Sequence, residues 1–115
     1  METRIVKDRI TKSELENLAL EQYVDLIKAV VDVRQGIMGV GGELHVDIQS
    51  LLMEKESSES QDTWGVNIYM EKTGEDFIEF DSMINLKPAF GNKTRGIEDI
   101  KIQKEIREII AKLVK

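Results

Sequence analysis

The chain has 115 residues, 22 acidic against 16 basic side chains for a formal charge of -6, and no cysteine. A length in this range accommodates one domain around one core, so 1–115 is read as a single domain. The acidic balance excludes bulk attraction to nucleic acid or to an anionic membrane, leaving only a local basic patch for such partners, and the missing thiols exclude a disulfide framework, a thiolate nucleophile and a sulfur-based zinc site.

Met1 to Asp8 are charged throughout and lack the apolar stretch of a signal peptide. No later window approaches about 18 uninterrupted apolar residues, so a cytoplasmic protein without a membrane partner is expected. Ile5 and Val6 suit a short first strand. Thr11 and Glu14 then have the spacing of a capping box, which opens a helix carrying Leu15, Leu18 and Ala19 on one stripe to about Gln22. From Leu26 to Val33 the β-branched residues favour a strand. Arg34-Gln35-Gly36 reads as a turn, and Ile37, Met38 and Val40 as the returning strand, with Gly39, Gly41 and Gly42 permitting a bulge or close backbone approach.

Asp47 suits an N-cap for a short helix to about Lys55 carrying Ile48, Leu51 and Leu52, although Leu-Leu-Met would also suit a strand. Residues 56–62 contain no apolar side chain and read as a mobile surface loop untied to a core. Trp64, Val66, Ile68 and Met70 alternate with polar positions, as do Ile78, Phe80, Ile84 and Leu86, and the six residues 71–76 join them as an antiparallel hairpin. Asp99 is the expected N-cap of a last helix with Ile102, Ile106, Ile109, Ile110 and Leu113 on one side. These elements imply an α+β fold: a mostly antiparallel sheet of two hairpins, with the N- and C-terminal helices packed on one face.

The clearest local contrast is the segment from Asn85 to Gly96, which holds Lys87, Lys93 and Arg95 and no carboxylate in a chain that is acidic elsewhere. Glycine-flanked turns can aim backbone N–H groups at an anion, and an arginine fork matches a phosphate or carboxylate. Lys87, Asn92, Lys93 and Arg95, with Asn85, are therefore the candidate ligand-binding residues. The competing explanation is charge balance, since six acids stand against one lysine between Gly41 and Asp62. The segment is no Walker loop, because Gly91 and Gly96 are followed by Asn92 and Ile97, and the glycines from 36 to 42 lack the order of a dinucleotide fingerprint. Asn92-Lys93-Thr94 matches a glycosylation sequon that has no role without a secretory signal.

Strand alternation places Asn67, Tyr69, Glu79, Asp81 and Asn85 on one polar, wet sheet face, where Glu79 and Asp81 could share a cation or raise one carboxylate pKa. His45 is the single histidine, and would serve as a general base only if Asp81 or the hydroxyl of Ser82 came within reach. One histidine and no cysteine argue against a transition-metal site, so no metal or cofactor is expected. Trp64, Met70 and Met83 read as core filler.

The runs Ala29–Val33, Gly41–Asp47, Trp64–Tyr69 and Phe80–Asn85, followed by Gly91-Asn92, resemble a family of short prokaryotic proteins that share a domain of unknown function. That resemblance spans nearly the whole chain and implies no activity, substrate or catalytic residue. The leading expectation is a small intracellular binding module for a phosphate-bearing anion, centred on the basic loop. The alternatives are a small acid–base enzyme using His45 with Asp81, Glu79 or Ser82, and a homo-oligomeric interaction protein built on the sheet face or the last helix.

Overall fold

In the computed structural model, which describes residues 2–23 and 25–115, the β-branched and alternating segments assemble into one sheet. Strands β1 (Arg4–Val6), β2 (Leu26–Asp32), β3 (Ile37–Val40), β4 (Thr63–Tyr69) and β5 (Ile78–Glu79) lie in the order β1-β3-β2-β4-β5, and all neighbours are antiparallel. The central strand β2 pairs along its whole length with β4, from Leu26 opposite Tyr69 to Asp32 opposite Thr63.

The capping box forms as the sequence spacing requires. Thr11 Oγ1 accepts from Glu14 N, and Glu14 returns a carboxylate to Thr11 N, opening helix α1 (Lys12–Leu20). Arg4 also reaches the Glu14 carboxylate, and together these donors hold the Glu14 pKa down at about 2. Asp99 caps helix α3 (Ile100–Leu113) through Lys101 N. Both helices pack on one sheet face: Leu15, Ala19, Ile106, Ile110 and Leu113 join Ile27, Ala29, Val31, Val66 and Ile68 in the main core.

The opposite face is not wet, as its polar alternation suggested. The segment left open between helix and strand is helix α2 (His45–Glu56), and it lies across that face, where Ile48 and Leu52 bury against Val30 and Ile37. Asp47 falls inside its first turn. The N-cap position is Leu44, which offers no side-chain bond. The close fit depends on missing side chains, because a Cβ on Gly39 would lie 2.6 Å from Ile48 Cγ2.

Two other expectations change. Residues 56–62 are tied down: Ser58 is buried and donates to Asp32 Oδ2 at 2.7 Å, and Ser60–Asp62 form a 3₁₀ turn. Asp32 also accepts from Arg34 N and Gln35 N, closing the β2–β3 turn. The strand expected from Ile78 to Leu86 stops after Glu79, because Ser82 Oγ accepts from Ile84 N and starts a 3₁₀ turn at Met83–Asn85. Met83 consequently lies exposed, while Trp64 is buried and Met70 half-buried.

Candidate functional site

The basic segment is held by its own polar side chains. Asn85 is fully buried and treats Gly65 as a neighbouring strand would: Oδ1 accepts from Gly65 N at 2.8 Å, and Nδ2 donates to Gly65 O at 3.0 Å and to Arg95 O at 2.9 Å. Asn92, also buried, donates from Nδ2 to the carbonyls of Asn85, Thr94 and Gly96 and accepts from Glu98 N. Each amide has thereby satisfied its donors and acceptors inside the fold.

Lys87 behaves in the same way. Its ammonium donates to Ser60 O at 2.6 Å and Ile84 O at 3.0 Å, and it lies 4.9 Å from the centre of the Trp64 ring. Only 7% of Lys87 is exposed, and burial pushes its pKa down. The chain has used this cation to fasten the 60–62 turn to the 83–85 turn. Of the segment's cations only Lys93 and Arg95 face solvent. Lys93 N donates to the Glu98 carboxylate, whereas Arg95 Nε pairs with Asp81 Oδ1 at 2.7 Å.

Glu79 and Asp81 therefore have separate partners. Glu79 accepts from Asn67 Nδ2 at 2.9 Å and Tyr69 OH at 3.0 Å, while Asp81 pairs with Arg95. Burial and the Glu79 contact raise the Tyr69 pKa. Among the described residues no group of three His, Asp or Glu side chains is placed to hold a metal ion.

His45, Ser82 and Arg95 do come together, with Lys28 as a fourth member. They line a cavity of about 280 Å³ with Leu44, Val46, Met83 and Ile84. Gly65 makes the approach of the two buried side chains possible: a Cβ there would lie 2.5 Å from Ser82 Oγ and 3.0 Å from His45 Cδ2. His45 Nε2 bonds to Val66 O at 2.8 Å, and since a carbonyl only accepts, this nitrogen carries the proton. Burial, aided by Lys28 and Arg95, lowers the His45 pKa to about 4 against the opposing pull of Val66 O and Asp81, so the ring is neutral at pH 7.

Among the described residues Ser82 Oγ makes no hydrogen bond to either ring nitrogen; it accepts from Ile84 N at 3.3 Å. The nucleophile–base contact of a serine mechanism is thus unformed. The first turn of α2 borders the same cavity. Among the described residues the N–H groups of His45 and Val46 make no hydrogen bond, and the Leu44 cap supplies none. Lys28 was passed over in the sequence, although it is the lone cation in the run Leu26–Val31. Its β2 position alternates with Ile27 and Ala29 and so faces away from the main core.

Residues 4–113 match the family described as Protein of unknown function (DUF5674). The chain belongs to that family. No curated protein and no solved structure matches it. Family membership covers the whole sheet, all three helices and every residue of the cavity, and it assigns none of them a role. Among the described residues no helix is long and apolar enough to cross a membrane.

Proposed function

We propose that this DUF5674 chain binds a small phosphate-bearing anion in the cavity between the first turn of α2 and the segment from Ser82 to Arg95. The observation that carries this reading is that Lys28, Arg95 and the uncapped α2 terminus line one cavity. Free N–H groups and the positive end of a helix dipole favour an anion, and two flanking cations add charge that the helix end alone lacks. Arg95 spends Nε on Asp81 and keeps its two terminal amino groups for a ligand.

The cavity's modest volume suits a phosphomonoester or pyrophosphate, and exposed Leu44, Val46 and Met83 at its rim would cover an apolar substituent. Compared with the basic-loop expectation, Arg95 stays in the reading. Lys28 and His45 enter it, and Lys87, Asn85 and Asn92 leave it because their polar atoms are already engaged. A cytoplasmic setting is part of the proposal, consistent with a cysteine-free and heavily charged composition.

The test is calorimetric titration with inorganic pyrophosphate. Lys28→Gln and Arg95→Gln should each weaken binding by about tenfold, the order expected for losing one charge-assisted contact, while Lys93→Gln leaves it within about twofold. Loss of binding in Lys93→Gln with Arg95→Gln unaffected would return the site to the loop itself.

A further inference from the structure

A second cavity lies on the opposite side of the sheet, where the segment from Lys72 to Ile78 meets the ends of α1 and α3. Its volume is about 460 Å³, within the range of small-molecule sites, and Phe77, Ile78, Ile110, Ala111 and Val114 supply an apolar lining. Three cations, Lys12, Lys72 and Arg107, line it as well, with Glu75 the one carboxylate among the described lining residues.

Acids outnumber bases 22 to 16, yet among the described residues none of these three cations has a carboxylate within ion-pair distance. Each instead lies over an aromatic ring: Lys12 is 5.7 Å from the Phe77 ring centre, Lys72 is 4.2 Å from that of Tyr69, and Arg107 is 4.9 Å from that of Phe80. Lys12 also occupies the first position of α1, where the helix dipole disfavours a positive charge. Most cations of this chain make no ion pair among the described residues, so the weight rests on where these three stand. Here they are gathered, unpaired, around an apolar hollow.

We propose that this hollow is a binding site for a small organic carboxylate with an aromatic body, its ring on Phe77, Ile110 and Val114 and its charge among Lys12, Lys72 and Arg107. The site shares no residue with the α2 cavity, so either can fail without the other.

The test uses 1-naphthoate and its uncharged amide against the full ¹⁵N-labelled chain. Naphthoate should shift amides in 72–78 and 107–114 and near Lys12, the amide should bind about tenfold more weakly, and Lys12→Gln combined with Lys72→Gln should erase that difference. Ala111→Trp, at an exposed helix position, should fill the hollow and remove binding of both compounds. Equal binding of acid and amide by the wild-type protein, shifts outside these segments, or preference for a long-chain fatty acid that naphthoate does not share would each overturn the proposal. The acid–amide comparison needs no variant and stands if a substitution disturbs folding.

Discussion

His45 shows how one residue's surroundings decide its chemistry. As a lone histidine it reads as a candidate base, but burial of its ring, aided by Lys28 and Arg95, brings its pKa to about 4 although the bond it donates to Val66 O pulls the other way. The unfolded chain takes up a proton near the ordinary value of 6.5, well before the folded one does. Stability from the buried neutral ring is therefore complete above about pH 6.5 and fades as pH falls toward 4, by an amount on the order of 3 kcal/mol. Urea unfolding at pH 7 and pH 4 should show the wild type losing about that much more than His45→Gln, whose amide can still donate to Val66 O. Parallel pH profiles would show that the ring is not held neutral. Lys87 teaches a different lesson, since its type and neighbours suggested a ligand while its ammonium was directed inward to two carbonyls. Charge content is legible in a sequence, but the direction of a long side chain is set by which carbonyls the fold leaves unpaired.

At the scale of elements, local signals worked where they were self-contained. The capping box at Thr11 and Glu14, the Asp99 cap and the β2–β3 hairpin each depend on residues close in sequence, and each forms. The strand expected through Leu86 failed for a reason that alternation cannot display: the Asn85 side chain substitutes for strand backbone by pairing with both polar groups of Gly65. The covered second face was hidden likewise, because Gly39 reads as permitting a close approach and Gly65 as an ordinary alternating position, and neither says that α2, Ser82 and His45 lie against them. Gly65→Ala should accordingly force Ser82 and His45 apart and destabilise the protein by about 1–3 kcal/mol. A shift in the urea midpoint at constant slope measures this, and an unchanged midpoint would mean that the contact has room to relax.

At the scale of the molecule, the net charge of -6 repels anions at long range, so any anion site must win locally. The two cavities collect cations on opposite sides of the sheet, with Lys28 and Arg95 at one and Lys12, Lys72 and Arg107 at the other. The fold class followed from the order of the elements. The site did not, because Lys28, His45 and Arg95 are distant in sequence and meet only once α2 crosses the sheet. Amide shift mapping with inorganic pyrophosphate at pH 7 tests the central claim most directly. The account predicts that the largest changes fall on the His45 and Val46 amides, whose N–H groups have no hydrogen-bond partner among the described residues, with the Arg95 side-chain resonances following at the same midpoint. Changes confined to Lys93, Thr94 and their neighbours, with His45 and Val46 unmoved, would contradict it.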